Sequence, residues 1–193
     1  FYQGETTLIE SFKKSSNIVP IKISYQFGLK KIVNLANKFG IKYKKDLSSY
    51  LPIAIGAYGD SLLNITNAYS IINNKGQLIK PSVIKDIKLK KGKIIWENKF
   101  VTSKIIDRQI ANKLNYLLEN SVEGGTGLAA SIEGRKIYGK TGTSDQNKDL
   151  WFIGSIKNLT TGIWIGFDDN RATNFSSGTS ANFWRTYIKS INI

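Results

Sequence analysis

Two apolar runs near the C-terminal end, residues 150–156 and 162–167, restrict the fold of this chain more than any other feature. Trp151, Phe152 and Ile153 in the first, and Ile163, Trp164 and Ile165 in the second, leave neither strand face polar. Such strands are expected to be covered on both sides. Lys157-Asn158-Leu159-Thr160 forms a tight link between them. A third strand candidate, residues 136–143, comes just before. The last third of the chain therefore predicts a sheet that needs a covering layer on each face.

Helical periodicity supplies candidates for those layers. Thr7 is placed to cap a short helix carrying Leu8, Ile9 and Phe12, which stops near Ser15-Ser16-Asn17. Pro20 argues against simple continuation. Leu29, Ile32, Val33, Ala36 and Phe39 follow three-four spacing, and Gly40 closes that helix as a left-handed cap. Residues 51–61, with Gly56 and Gly59, read as a loop. Ile65, Ala68, Tyr69 and Ile72 mark another helix, ending before Gly76. Residues 83–89 and 93–96 read as a hairpin turning at Lys91-Gly92. Asp107 opens the longest helix, with Ile110, Leu114, Leu117, Leu118 and Val122 on one stripe. Gly124-Gly125-Thr126-Gly127 ends it and reads as a plain connector. Ser180 is placed to cap a final helix that packs Phe183, Trp184, Tyr187, Ile188 and Ile191 inward.

The polar residues concentrate in Gly139-Lys140-Thr141-Gly142-Thr143-Ser144. The span from Gly134 to Thr141 satisfies the phosphate-loop pattern literally. Its context does not: Arg135, Lys136, Ile137 and Tyr138 suit a strand, and Thr-Gly-Thr-Ser-Asp after the lysine is a poor helix start. On a strand, Thr141 and Thr143 share one face and Lys140 takes the other. Two hydroxyls on one face can jointly hold a carboxylate, and Gly142 lets a ligand backbone lie close. Lys140 would have to curl round the strand edge to add its charge.

Composition narrows the chemistry. The chain has no histidine and no cysteine, which excludes a Ser-His-Asp triad, thiol nucleophiles and Cys-rich zinc sites within it. Acid–base work falls to Lys, Asp, Glu or Tyr, with Ser as a relay. The net charge is +14, from 24 lysines but only four arginines. Base readout and bidentate phosphate recognition favour arginine, so the excess reads as a solvated basic surface and predicts no specific nucleic-acid partner. No run of about 18 apolar residues is present to span a bilayer.

Ser15-Ser16-Asn17 offers a hydroxyl and a side-chain amide two residues apart at a helix end. Alone it would read as an ordinary helix stop. Followed by Lys140-Thr141-Gly142, it supplies the second and third parts of the S-x-x-K, S-x-N, K-T-G set. With these motifs the sequence resembles the transpeptidase domain of class A (bifunctional) penicillin-binding proteins. The resemblance runs on through Thr7 to Pro20, Pro52 to Gly56, Asn73-Asn74-Lys75-Gly76, Gly125 to Ala130, Asp149 to Phe152, and Trp164 to Asp169. Ala57-Tyr58-Gly59-Asp60 departs from the family's Ser/Glu-rich stretch near the cleft.

The resemblance implies an α+β fold of the penicillin-binding-protein/serine β-lactamase type: an antiparallel sheet flanked by helices, plus a helical lobe. It implies cross-linking of peptidoglycan stem peptides ending in D-Ala-D-Ala through a serine acyl-enzyme, with β-lactams as substrate mimics. It assigns Ser15 as proton relay, Asn17 to the acyl donor's backbone and Lys140 to the local field. Thr141, Gly142 and Thr143 become the carboxylate-binding strand. It calls for no metal and no cofactor.

The first motif has no candidate that fits. Ser11-Phe12-Lys13-Lys14 lies one turn before Ser15. Ser82-Val83-Ile84-Lys85 follows Pro81 and opens a strand. The chain, which begins at Phe1 and contains no methionine, therefore reads as the part of a transpeptidase domain after S-x-x-K. The nucleophile, the domain's N-terminal strands, a glycosyltransferase domain and a membrane anchor are expected upstream. A non-catalytic module binding peptidoglycan or another anionic polymer is the alternative. A β-lactamase-like hydrolase is a weaker one, since no carboxylate is evidently placed to activate a deacylating water.

Overall fold

The computed structural model describes residues 4–43, 47, 49–191 and 193. Three short helices lead: α1 (Leu8–Lys13), α2 (Ile18–Phe27) and α3 (Leu29–Lys38). A 3-10 turn at Leu51–Ile55 precedes α4 (Leu62–Asn73). Two small ribbons follow, built from β1 (Gln77–Ile79), β2 (Asp86–Lys88), β3 (Ile94–Glu97) and β4 (Thr102–Lys104). After the long α5 (Arg108–Gly124) come β5 (Tyr138–Thr143), β6 (Asp149–Ile156), β7 (Leu159–Gly166) and the closing α6 (Ser177–Ser190). The class is α+β.

The central sheet is antiparallel in the order β5-β6-β7. Register runs from Thr143 opposite Leu150 to Tyr138 opposite Ser155, then from Asp149 opposite Gly166 to Ile156 opposite Leu159. The second pairing closes over Lys157 and Asn158 alone, with Lys157 at φ 49°, so the link is two residues shorter than expected. Phe152 and Trp184 are both fully buried, their rings edge to face at 5.4 Å. They close over bare backbone: a Cβ at Gly154 would stand 2.6 Å from Trp184 and 2.7 Å from Phe152. Val122, Ala130, Ile137, Ile156, Ala181 and Ile188 complete this core. On the opposite sheet face, Gly162 lies against Leu62 and Thr66 of α4. A second cluster (Val33, Leu47 and Ile53, with Leu29, Tyr43 and Tyr58) holds the helical lobe together.

Several sequence expectations shift. β6 is buried almost throughout, but β7 is only partly covered, with Trp164 36% exposed. Among the described residues β7 pairs only with β6, and an edge strand is not sealed as a central one is. Pro20 falls in the first turn of α2, where its missing N–H would lack a helical partner anyway, so a helix forms where none was read. The final helix starts at Ser177, and Ser180 lies inside its first turn, its hydroxyl donating to the Ser177 carbonyl at 2.9 Å. Trp184 and Ile188 point inward as expected; Phe183 and Tyr187 are exposed. The predicted hairpin exists as β2–β3, with Ile87 opposite Trp96, while the three-residue pairing of β1 with β4 carried no local signal.

Candidate active site

Thr7 caps α1, accepting from the Glu10 N–H at 3.2 Å. The helix then unwinds tightly: the Ser15 N–H donates to the Phe12 carbonyl at 3.1 Å and that of Ser16 to the Ser11 carbonyl at 2.9 Å. Ser15 takes φ 53°, the left-handed region that side chains other than glycine seldom occupy. That turn carries the exposed Ser15 past the end of α1. Asn17 stands at the start of α2 with helical backbone and makes no side-chain capping bond. A cap is therefore not what its amide is for, and both groups project from one exposed corner.

β5 supplies the facing wall. The Ser144 N–H donates to the Asp149 carbonyl at 3.0 Å. Because hydrogen-bonded pairs alternate along an antiparallel ladder, the N–H groups of Thr143 and Thr141 turn away from β6, toward the open edge. The Lys140 side chain does curl round that edge. Its Nζ donates to Ser15 Oγ at 2.7 Å and to the Thr141 carbonyl at 3.2 Å, and lies 5.8 Å from the centre of the Phe12 ring. Burial without a carboxylate partner lowers its pKa from 10.5 to about 8, since desolvation disfavours the ammonium. A lysine so placed can be charged or neutral near neutral pH and can exchange a proton through the Ser15 hydroxyl.

The two threonines differ. Thr143 is exposed, whereas Thr141 is buried, with its Oγ1 2.6 Å from Thr126 Oγ1. Gly142 faces Trp151, where a Cβ would meet the Trp151 Cβ at 3.3 Å, so its bareness serves the cross-strand neighbour as well as the cleft. The residue that the sequence reading passed over is Thr126. A lone threonine among glycines looked like a connector, and only its place in the Gly125-Thr126-Gly127 landmark signalled anything more.

The structure thus brings Ser15, Lys140 and Thr141 into one hydrogen-bonded group, with Asn17 on the same turn as Ser15 and Thr143 further along the strand. The nearby carboxylate of Asp149 is occupied, accepting from Ser144 Oγ at 2.8 Å and from Trp164 Nε1 at 3.0 Å. Neither S-x-x-K serine is free to act here. Ser11 is 4% exposed inside α1, and the Ser82 hydroxyl is engaged with Ile84 in the loop before β2. Nor does the phosphate-loop reading survive: the backbone after Lys140 stays a strand and then turns through Asp145–Asn147 into β6. Ser61 caps α4, accepting from the Asn64 N–H at 3.2 Å, and Asp60 braces that cap by accepting from the Ser61 N–H at 2.6 Å and Asn64 Nδ2 at 2.7 Å, which gives the divergent segment 57–60 a local structural use. Among the described residues no cluster of His, Cys, Asp and Glu could hold a metal ion.

Comparison with known proteins agrees with this geometry. Residues 2–186 match the model of the penicillin binding protein transpeptidase domain. Penicillin-binding protein 1A of Clostridium tetani is 35% identical over 180 residues, covering 87% of this chain and 23% of that protein. The same-named protein of Clostridium acetobutylicum is 31% identical over the full chain and 24% of its own length. The chain therefore spans about a quarter of these relatives. In structure, penicillin-binding protein 1A from Haemophilus influenzae superposes with a TM-score of 0.86 at 23% identity, over 96% of this chain and 34% of that one. Penicillin-binding protein A from M. tuberculosis, solved as an imipenem acyl-enzyme complex, gives 0.83 at 18% identity, over 97% and 48%. With S-x-N and K-T-G facing each other across a cleft and this chain matched almost end to end by the family's domain model, this chain belongs to the penicillin-binding protein transpeptidase family.

Proposed function

We propose that the chain forms two walls of a peptidoglycan D,D-transpeptidase site, within a bifunctional cell-wall synthase held at the outer face of the bacterial cell membrane. The attacking serine, the glycosyltransferase domain and the membrane anchor come from polypeptide outside these 193 residues. The observation that carries the reading is the 2.7 Å bond from Lys140 Nζ to Ser15 Oγ, which joins the two motifs into one proton-conducting unit. The upstream serine attacks the carbonyl of the D-Ala-D-Ala bond. The departing D-alanine amine takes its proton through Ser15. The acyl group then passes to the amine of a neighbouring stem peptide.

Asn17 holds the donor's backbone in this scheme. Thr141 and Thr143 hold its terminal carboxylate in the field of Lys140. The outward N–H of Thr143 serves as one oxyanion donor, a kind of contact whose loss costs about 3–4 kcal/mol of transition-state stabilisation. β-Lactams enter the same site as carboxylate-bearing mimics of the donor.

Labelled penicillin tests this directly. The full-length parent is expected to form a covalent adduct that survives denaturation, and the 193-residue chain none. A stable adduct on the isolated chain would place the nucleophile within it. A parent that is never labelled would favour the alternative of a non-catalytic peptidoglycan-binding module.

A further inference from the structure

Thr126 belongs to neither wall of the cleft, yet it hydrogen-bonds to both. Its N–H donates to the Lys13 carbonyl at 3.1 Å, two residues before Ser15. Its Oγ1 lies 2.6 Å from Thr141 Oγ1 on β5. The approach is close by construction. A Cβ at the preceding Gly125 would meet the Lys13 carbonyl oxygen at 2.6 Å and the Ser121 carbonyl oxygen at 2.8 Å, so any side chain there would push the end of α5 off the end of α1. Thr126 itself is exposed while Thr141 is buried, which leaves Thr126 at the mouth of the site with the Thr141 hydroxyl beneath it.

Two hydroxyls at this distance share one proton between them, and the direction of sharing has a chemical consequence. A hydroxyl has a single hydrogen to donate and two lone pairs to accept with. If Thr141 donates to Thr126, nothing remains for it to offer an anion. If Thr126 donates, the Thr141 hydrogen is free to point along the open edge of β5, where Lys140 and the outward N–H groups already favour negative charge. An incoming carboxylate selects the second arrangement, because an anion accepts and cannot donate.

We propose that Thr126 is a positioning and specificity residue. It donates to Thr141, which fixes the Thr141 hydroxyl as a donor to the ligand's carboxylate, and its backbone holds the Ser15 turn at the matching distance. The inference rests on the transpeptidase reading above and deepens it.

The test uses the full-length parent and the rate of acylation by penicillin and by its uncharged methyl ester. Thr126→Val keeps the shape and the backbone bond but removes the hydroxyl. It is expected to slow acylation by penicillin about tenfold, the scale of one hydrogen bond to a charged group, and to leave reaction with the ester unchanged. Thr126→Ser should restore the penicillin rate. The proposal is overturned if Thr126→Val matches the unsubstituted protein toward penicillin. It is overturned equally if both ligands slow to the same degree, or if serine fails to rescue, since a purely structural role predicts those outcomes. Lys140→Ala serves as the control for the underlying reading. If that variant still acylates normally, the transpeptidase site itself is misassigned, whereas a silent Thr126→Val beside an inactive Lys140→Ala removes only the role given to Thr126.

Discussion

Lys140 carries a consequence for pH that follows from where its charge sits. Burial lowers its pKa from 10.5 to about 8, so the folded chain binds fewer protons at this site than the unfolded chain between those values. Stability rises with pH wherever the unfolded state binds more protons. The contribution of Lys140 is therefore least favourable below about pH 8 and improves up to about 10.5. Lys140→Met should remove that rise. Urea midpoints at about pH 7 and about pH 10 would show it as a gap between variant and parent chain that narrows or reverses at the higher pH; an identical gap at both would mean the ammonium is not desolvated. An anion bound beside Thr143 acts in the opposite sense, raising the pKa and drawing a proton onto the lysine.

At this scale the sequence was most legible for residues whose chemistry is written in their type. Ser15, Asn17 and Lys140 stood out by motif, and the bend of Lys140 round the strand edge was foreseen as a requirement. Pairing within the site was not legible. Nothing in the letters joins Thr126 to Thr141, because that contact depends on how closely two glycine-flanked backbones approach.

Among the elements, packing divides those the sequence revealed from those it hid. α3 and α5 were readable because each must turn an apolar stripe toward a core. α2 was hidden by Pro20, whose position in the first turn makes it harmless. β1 and β4 were hidden because each has three residues and finds its partner more than twenty residues away. The same division predicts where substitutions hurt. At Gly154 a new Cβ would overlap Trp184 and Phe152, so Gly154→Ala should cost about 1–3 kcal/mol through overpacking. β2–β3 makes no comparable core: every residue of β3 is exposed, and Trp96→Ala should change stability by no more than about 0.5 kcal/mol. Chemical denaturation of the two variants side by side checks both, and equal losses would mean the hairpin is packed after all.

For the whole molecule, the sheet and its two helical layers form a framework on which the cleft is mounted. No helix among the described residues is long and apolar enough to cross a membrane. The fold class was legible through the family resemblance, while the two doubly apolar strands indicated only a sheet with a covering layer on each face. The strand order was less so, and the half-covered state of β7 shows why. A run such as Gly162 to Phe167 looks the same in sequence whether or not a neighbour pairs with its outer edge.

The bond between Lys140 and Ser15 spans 125 positions of chain, and that separation bears on how the site comes into being. Closing a loop of that length costs roughly 4 kcal/mol in chain entropy, against about 1 kcal/mol gained from one hydrogen bond. The contact cannot gather the chain; it can only form once the sheet and α5 have brought its ends together. In the native state one such bond, worth about 1 kcal/mol, holds the α1 wall far less firmly than packing holds the sheet, so small excursions of that wall are expected while the sheet stays shut. Amide hydrogen exchange should show this as fast exchange at Ser16 and Thr126 and slow exchange, at the rate of global unfolding, at Phe152 and Ile153. Equal protection at all four would mean that the cleft and the core open as a single unit. The cleft then assembles after the core and opens before it.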